Sequence, residues 1–563
     1  MTLANRLTVV ALCCALPMLA AAQVRRPDRP DTARVQDSAR AGRDTTSAAA
    51  RDSLRSGIRD FLTRVQEAPV VTRHTSRAST GEIRYTATTG MLPIRNDTTG
   101  AIEGGMFFVY YARDGVGDAS RRPLLVAFNG GPGSASVWLH LGAYGPRKVR
   151  LLPDGSAPTP PYTLEDNPHT LLDQMDIVFI DPVGTGYSRA ARPELGQKFW
   201  GLDEDISSVG EFIRLFLTRY NRWSSPLFLS GESYGTTRAA GLAGYLAERG
   251  IVFNGVMLIS AVLNRGASSL DRGNDIAFVN FLPSYAATAW YHKRLPPDLQ
   301  SRRLEQVVDE VEQWALGDYN VALAKGARLT TEEFRAVAQR LARYTGLSED
   351  FVAANDLRIT LPRFNHELLV SQRRLVGRLD SRFTTFETDP GAERGALDPS
   401  EATIRNSFTP VMNDYVRREL RYRNDDVYYI LGGGIGRWRY PQQQGYSDVT
   451  PALERAFTRN PYMRLYVAMG YYDMATPYFA VEHTLAHMQI APEVRGNIVT
   501  EYFASGHMMY VEQESMAKLR AGIRRFIDEA LRQPAVAGTA TPARAEGPTS
   551  ARPAPAAQGT SRP

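Results

Sequence analysis

Runs of consecutive apolar residues recur through the middle of the chain, and most are separated by stretches in which apolar residues return every three or four positions. Short apolar runs without alternating polar positions are typical of strands that are buried on both faces of a parallel sheet. The predicted strands of this kind are Leu124–Phe128, Asp176–Ile180, Leu227–Ser230, Val256–Ser260, Leu465–Met469 and Ile498–Phe503.

The stretches between several of these strands have a helical pattern. Between Asp203 and Tyr220 the large apolar residues fall on one stripe of a helix, and Asp203 is placed to cap its start. Strands that alternate with helices predict an α/β fold, in which helices cover both faces of a mostly parallel sheet. Ahead of this region, Gly81–Thr89 and Met106–Ala112 are rich in Tyr, Thr, Phe and Val, which predicts an opening hairpin.

The alternation of predicted strands and helices is interrupted by one long central segment. From about Gly266 to Tyr440 the pattern changes to charged helical stretches such as Leu304–Ala315 and Thr331–Tyr344. We interpret residues 266–440 as a helical cap inserted into the core, so that residues 80–265 and 441–533 form the first and second parts of the core.

The first 22 residues have the layout of a cleaved secretory signal. Arg6 precedes an apolar run from Leu7 to Leu19, and the small residues Ala20–Ala22 follow it. The alternative is a buried apolar helix at the N-terminus. The signal predicts an exported protein, either periplasmic or extracellular. Because the two cysteines, Cys13 and Cys14, lie inside it, the mature chain would contain no disulfide.

Both ends of the mature chain have a composition that is typical of disorder. Residues 23–79 begin with Arg, Asp, Ala, Ser, Thr and Pro, and predict a linker with one short amphipathic helix near Leu54–Val65. Residues 534–563 are mostly Pro, Ala, Gly and Thr, which predicts a disordered tail.

Composition and charge exclude several classes of protein. The chain has 563 residues, of which 43% are hydrophobic and 22% are charged, so it is neither collagen-like, a coiled coil nor wholly disordered. Its net charge of +6 is the small difference between well-mixed basic and acidic residues, so we expect no nucleic-acid partner. Beyond the signal, no apolar run approaches the ~20 residues that a membrane span needs.

A candidate nucleophile follows the third of the predicted strands. Gly231–Gly235 fits the pattern G-x-S-x-G around Ser233, and it lies between an apolar strand and a helix-compatible run. Small residues on both sides allow the sharp strand–turn–helix that lifts a serine hydroxyl to the edge of the sheet, as in α/β hydrolases. The alternative interpretation is a glycine-rich turn with an exposed serine.

A serine nucleophile needs a base and an acid, and in α/β hydrolases the acid and then the histidine follow it in the chain. His507 follows the last predicted strand, and Asp473 follows the strand before it. Asp473 would hold the tautomer of His507 and stabilise its charged form. Taken singly, a loop histidine and a turn aspartate are more often solvated, but together and in this order they favour a catalytic pair.

A second glycine motif, Asn129–Gly133, follows the strand Leu124–Phe128. Glycines let the backbone approach a reacting carbonyl closely and direct N–H groups at it. With Asp181–Ser188, Gly231–Gly235 and Gly506–Met508, this motif resembles the serine carboxypeptidase family, peptidase family S10, over about residues 80 to 530.

The resemblance implies a fold, an activity and the roles of eight residues. It implies an α/β-hydrolase fold and the removal of single residues from the C-termini of peptides or proteins. The sequence itself contains no motif for a metal or other cofactor, so we expect none. The implied catalytic triad is Ser233, Asp473 and His507, the oxyanion hole is formed by the backbone N–H groups of Gly131 and Tyr234, and the substrate's carboxylate is bound by Asn129, Gly130 and Glu232.

The chain also departs from the family's pattern. Ala127 stands where the family usually has a tryptophan, Ala143 where many members have a second glutamate that helps to bind the carboxylate, and Ser134 where a cysteine is usual. Half of the expected carboxylate site is therefore missing. Arg147 is a candidate replacement, although a surface arginine is the simpler interpretation.

Other functions remain open at this point. An esterase or acyltransferase on the same fold would not need the carboxylate site, and a non-catalytic binding protein could keep the fold. The sequence does not give the oligomeric state or the residue preference. His483 and His487 have the spacing of a zinc pair, but Thr484 stands where a metallopeptidase has its glutamate, so we interpret them as a solvated or packed pair.

Overall fold

The computed structural model describes residues 55–387, 398–441 and 445–532. The predicted signal peptide (1–22), the first part of the predicted linker and the predicted tail (534–563) lie outside the described residues. The chain divides into two units after Asp60, and the described residues from Phe61 onward belong to the second unit. Within the described ranges, no helix is both long and apolar enough to cross a membrane.

The regular elements of the described residues are as follows. The strands are β1 (Val70–Ala78), β2 (Gly81–Arg95), β3 (Ile102–Arg113), β4 (Leu124–Phe128), β5 (Arg147–Val149), β6 (Leu164–Asp166), β7 (Asp176–Asp181), β8 (Arg189–Ala190), β9 (Leu227–Ser233), β10 (Gly255–Ala261), β11 (Arg374–Val376), β12 (Thr384–Phe386), β13 (Arg464–Gly470) and β14 (Ile498–Phe503). The α-helices are α1 (residues 55–66), α2 (Leu202–Arg219), α3 (Tyr234–Ala247), α4 (Asp275–Tyr291), α5 (Pro297–Gln300), α6 (Leu304–Trp314), α7 (Asn320–Lys325), α8 (Thr331–Thr345), α9 (Glu349–Ala354), α10 (Leu361–Glu367), α11 (Pro399–Arg418), α12 (Thr450–Arg459), α13 (Tyr478–His487), α14 (Pro492–Arg495) and α15 (Gln513–Leu531).

A central sheet organises the second unit. Its ten strands in the described residues run in the order β1-β2-β3-β7-β4-β9-β10-β13-β14, with β8 attached to β3. The first four are antiparallel neighbours, and the strands from β7 onward are parallel. All six predicted buried strands and the opening hairpin are present. This is the α/β-hydrolase fold that the sequence predicts.

Both faces of the sheet are covered, which explains why its strands are apolar without alternation. On one face, strand residues such as Phe228 and Tyr466 pack against α11 and α15. On the other face, residues such as Val126 and Leu258 pack against α2, α3, α12 and α13. Because each strand buries side chains in both directions, it reads in the sequence as a continuous apolar run.

The segment predicted as a cap, residues 266–440, contains α4 to α11 and the small hairpin of β11 and β12. Most of its helices share an apolar cluster of their own, to which Phe281, Val311 and Leu341 belong. The helix α11 differs, because its buried residues pack into the core on one face of the sheet. The predicted segment therefore combines a helical subdomain with one helix of the core.

Two details of the sequence interpretation are wrong. The predicted linker, residues 23–79, contains the strand β1, which pairs with β2 at the edge of the sheet. Only Thr72 and Ser76 of β1 are buried, and after Val70 and Val71 the strand is mostly polar, so it lacks the apolar run of the predicted strands. Asp203 does not cap α2 either, because Gly201 holds the cap position and Asp203 lies in the first turn, where its charge still suits the helix dipole.

Candidate active site

Ser233 lies at the sharp turn between β9 and α3. Its backbone has φ 58° and ψ −130°, a conformation that side-chain-bearing residues rarely adopt and that costs free energy to hold. The turn admits no side chain at Gly231, because a Cβ there would lie 2.1 Å from the carbonyl oxygen of Gly235. The predicted strand–turn–helix is therefore present, and it leaves Ser233 partly exposed at the edge of the sheet.

Asp473 and His507 are brought together by the two strands that precede them. Because β13 and β14 are parallel neighbours, the loops that follow them meet at the same edge of the sheet. The distance between His507 Nδ1 and Asp473 Oδ2 is 2.7 Å, and both side chains are buried. Asp473 also accepts hydrogen bonds from the N–H groups of Ala475 and Thr476 and from the Thr476 hydroxyl.

This pairing sets the proton position and the basicity of His507. Because a carboxylate accepts from Nδ1, the neutral ring carries its proton there and leaves Nε2 free to act as a base. Burial lowers the pKa of His507, but the charge of Asp473 and its hydrogen bond outweigh burial, so the pKa is raised above its ordinary value.

A small cleft joins most of the predicted site residues. It has a volume of about 140 Å³, and its lining includes Asn129, Gly130, Gly131, Glu232, Ser233 and His507. A cavity of about 150 Å³ holds a benzene-sized group, whereas sites for larger ligands measure about 300–1,000 Å³. The cleft therefore has room for about one side chain beside Ser233.

The glycine motif after β4 lies directly against the serine turn. The strands β4 and β9 are parallel neighbours, and Phe128 pairs with Gly231. A Cβ at Gly130 would lie 2.4 Å from the backbone nitrogen of Gly235 and 2.5 Å from that of Tyr234, so only glycine allows this approach. Tyr234 is the first residue of α3, and its N–H is one of those that a helix leaves without a partner in its own backbone.

Two polar atoms of Asn129 accept hydrogen bonds from the protein, and its side-chain nitrogen is a third polar atom. Its Oδ1 accepts from the N–H of Leu139 at 3.0 Å, and its backbone oxygen accepts from Arg238 at 2.7 Å. Its side-chain nitrogen, Nδ2, is buried and makes no hydrogen bond of normal geometry within the part of the chain that the structure describes, although the Asn129 side chain is close enough to Glu232 and Tyr510 to lower the pKa of each. A buried donor without a well-formed hydrogen bond costs free energy, so this atom can bind an acceptor that a ligand brings.

Glu232 is a buried acid at the same cleft. Burial raises its pKa to about 7, although the nearby charge of His507 acts in the opposite direction. The hydroxyl of Tyr510 donates a hydrogen bond to Glu232 Oε2. In acidic solution Glu232 is therefore protonated and can donate a hydrogen bond to an anion.

Three residues at this site were not found from the sequence. Thr476 donates to Asp473 at 2.6 Å, Tyr510 donates to Glu232, and Arg378 lines the cleft from the segment between β11 and β12. None of them stands in a motif. The residue type at Gly142 is connected with Tyr510, because a Cβ at Gly142 would lie 2.7 Å from the Tyr510 ring. That contact cannot be recognised from the sequence, since the two residues are far apart in the chain.

The interpretation of Arg147 as a carboxylate ligand is wrong. Its guanidinium is bound to Asp166 and to Glu419, and Arg147 is not among the residues that line the cleft beside Ser233. His483 and His487 pack on each other on α13, with 4.1 Å between their ring centroids.

Comparison with known sequences places these features in a known family. The sequence model of the serine carboxypeptidases matches residues 86–512. Serine carboxypeptidase-like 36 of Arabidopsis thaliana is 28% identical over 167 residues, which cover 29% of this chain and 33% of that protein. The pheromone-processing carboxypeptidase KEX1 of Saccharomyces cerevisiae is 30% identical over 159 residues, which cover 26% of this chain and 20% of the relative. The aligned parts thus span a third or less of these two relatives.

Comparison with solved structures supports the fold. The crystal structure of a prohormone-processing carboxypeptidase from Saccharomyces cerevisiae superposes with a TM-score of 0.50 and 15% sequence identity. The superposition covers 79% of this chain and 91% of that one. At this level of identity the likeness concerns the arrangement of strands and helices.

Proposed function

The chain belongs to the serine carboxypeptidase family, and we propose that it is an exported enzyme that hydrolyses the last peptide bond of peptides with a free C-terminus. The observation that carries the proposal is that His507, bonded to Asp473, lines the same small cleft as Ser233. A serine and a base oriented by an acid are the groups that this reaction requires, and the cleft beside them has room for about one side chain.

The reaction proceeds through an acyl-enzyme. His507 Nε2 takes the proton of Ser233 as its Oγ attacks the scissile carbonyl carbon, and the C=O electron pair moves to the oxygen. The N–H groups of Gly131 and Tyr234 stabilise this oxyanion. The intermediate collapses when His507 gives its proton to the leaving amine, and water then releases the acyl group by the same route in reverse.

An exopeptidase of this kind must recognise the free carboxylate of the substrate's last residue. Asn129 Nδ2 is a buried donor without a well-formed hydrogen bond, Gly130 brings its backbone to the same cleft, and Glu232 is a donor when it is protonated. Together they are suited to bind a carboxylate. A C-terminal amide carries no negative charge and brings donors of its own, so it fits this set of donors poorly.

Ester hydrolysis or acyl transfer on the same scaffold is the second candidate. It is favoured by Ala127 and Ala143, which supply no polar atom to the carboxylate site. The kinetics of one peptide as its free acid, its amide and its ethyl ester separate the two. For a carboxypeptidase we expect a much higher kcat/KM for the free acid than for the amide, and no turnover by Ser233→Ala. Turnover confined to the ester would favour the second candidate.

A further inference from the structure

Arg378 is a cationic residue of the cleft that the reaction described above does not use. It lies between β11 and β12, in a segment that is fixed against both catalytic loops. The N–H of His507 donates to the carbonyl of Leu379 at 2.7 Å, and the N–H of Met474 donates to the carbonyl of Arg378 at 3.0 Å. The backbone of Arg378 therefore keeps its position relative to His507 and Asp473.

The side chain of Arg378 is only loosely bound. It is 48% exposed, and its Nε lies 3.8 Å from Asp398 Oδ2, which is beyond the usual range of an N–H···O bond. Asp398 is also engaged elsewhere, because it accepts from the N–H groups of Ser400 and Arg378. By contrast, the nearby Arg382 binds Asp380 at 2.7 Å. Arg378 therefore has hydrogen-bond donors to offer a ligand.

The anion that this cleft is proposed to receive needs a positive charge. Asn129 is neutral, and Glu232 is neutral only when it is protonated and is otherwise an anion. Glu401, which also lines the cleft, is acidic and holds Arg405 at 3.1 Å. Burial lowers the pKa of His507, Asp473 and Glu232 raise it, and the positive charge of Arg378 lowers it by a smaller amount, so the charge of Arg378 reaches the proposed base.

We propose that Arg378 binds the free carboxylate of the substrate's C-terminal residue, together with Asn129 and Glu232. The inference rests on the proposed function and names the group that replaces the second carboxyl group absent at Ala143. A guanidinium suits this role because it offers two parallel N–H donors to the two oxygens of a carboxylate and stays charged at all relevant pH values.

An acidic side chain on the last residue is the other anion that could reach Arg378. The main-chain carboxylate is favoured because it is present on every substrate and because Asn129, whose buried Nδ2 lacks a well-formed hydrogen bond, lines the same cleft. The cleft of about 140 Å³ is small enough to bring both donors to one residue.

Binding to an inactive enzyme tests this inference separately from the proposed function. Calorimetry with Ser233→Ala compares an N-acetylated dipeptide ending in leucine, as free acid and as amide, with a free acid that ends in aspartate. We expect the leucine acid to bind at least about tenfold more tightly than its amide, and Arg378→Met to abolish this difference. Arg378→Lys should retain part of it, because the charge remains.

Arg455 provides a matched control. It is 53% exposed and pairs with one acid, Glu248, on the surface, so Arg455→Met should leave the preference for the acid unchanged. Equal losses for acid and amide in Arg378→Met, a loss confined to the aspartate peptide, or no preference before the substitution would each overturn the inference. If Arg378 carries the preference but the wild-type enzyme releases no amino acid, the proposed function fails and the inference stands.

Discussion

The hydroxyl of Tyr510 donates a hydrogen bond to the carboxyl group of Glu232. Both residues are buried, and the Tyr510 ring fills the space above Gly142, where a Cβ would lie 2.7 Å from it. The contact uses Oε2 of Glu232 and leaves Oε1 for another partner. Tyr510 is therefore a positioning residue, which orients Glu232 at the cleft through a donor that does not depend on pH over the working range.

Replacement of Tyr510 by phenylalanine removes this donor. Because its hydrogen bond lowers the pKa of Glu232, we expect the pKa to rise in Tyr510→Phe, and the alkaline limb of kcat/KM for free-acid peptides to move to higher pH. Tyr466→Phe is the control, since its buried hydroxyl donates to Glu501 at 2.6 Å away from the cleft. If the alkaline limb of kcat/KM lies at the same pH in the wild type and in Tyr510→Phe, this role of Tyr510 is contradicted.

The protonation of Glu232 predicts a pH dependence that differs between substrates. Burial raises the pKa of Glu232 to about 7, so above that pH the residue becomes an anion and repels a substrate carboxylate. We expect kcat/KM for a free-acid peptide to fall as the pH rises through about 7, and no such fall for an ester, which has no carboxylate. Glu232→Gln remains a neutral donor, so the fall should disappear. A fall of equal size in that variant would assign it to another group.

Substitution of Gly130 tests whether the close contact between the motif Asn129–Gly133 and the turn at Ser233 is needed for activity. A Cβ at this position would lie 2.5 Å from the nitrogen of Tyr234, so Gly130→Ala pushes the loop away from the proposed oxyanion site. We expect kcat to fall about 10²–10³-fold, the cost of losing one oxyanion donor, with the fold retained by circular dichroism. Gly496→Ala has no atom nearer than 4.0 Å and is the control. Unchanged kcat in Gly130→Ala would remove this loop from the mechanism.

Variants of Asp473 and Thr476 test two different contributions to the site. Asp473 orients His507, and Thr476 donates a hydrogen bond to Asp473. Asp473→Asn presents a donor or a neutral oxygen to His507 Nδ1, which favours the wrong tautomer, so we expect kcat to fall about 10⁴-fold. Thr476→Val removes only the hydroxyl that donates to Asp473 at 2.6 Å, and its effect should be about tenfold. Labelling by a fluorophosphonate should slow in the same order. Rapid labelling of Asp473→Asn would argue against the pair.

The parts of the fold that were predicted from the sequence are those with a strong local pattern. Strands such as β4 and β13 bury both faces, so their bounds follow from short apolar runs. The glycine-rich turns were found because strain and crowding restrict the residues that fit them. The strand β1 was missed because it lies at the edge of the sheet and contributes almost no apolar side chain.

The supporting residues of the site could not be predicted for a different reason. Tyr510 and Arg378 act through contacts between segments that are distant in the chain, and neither contact leaves a pattern in the local sequence. Arg147 shows the converse, because its proximity in sequence to the glycine motif suggested a role that its ion pairs with Asp166 and Glu419 exclude. The predicted site residues all stand in motifs or just after predicted strands, whereas the residues that only the fold brings to the cleft were missed.

The most direct test of the central claim is a time course of one defined peptide, followed by mass spectrometry at mildly acidic pH. We predict a ladder that shortens by one residue at a time from the C-terminus, no dependence on N-terminal acetylation, and strong resistance of the C-terminal amide. Ser233→Ala should leave the peptide intact. Cleavage at internal bonds, equal shortening of the amide, or a ladder that persists in Ser233→Ala would contradict the account.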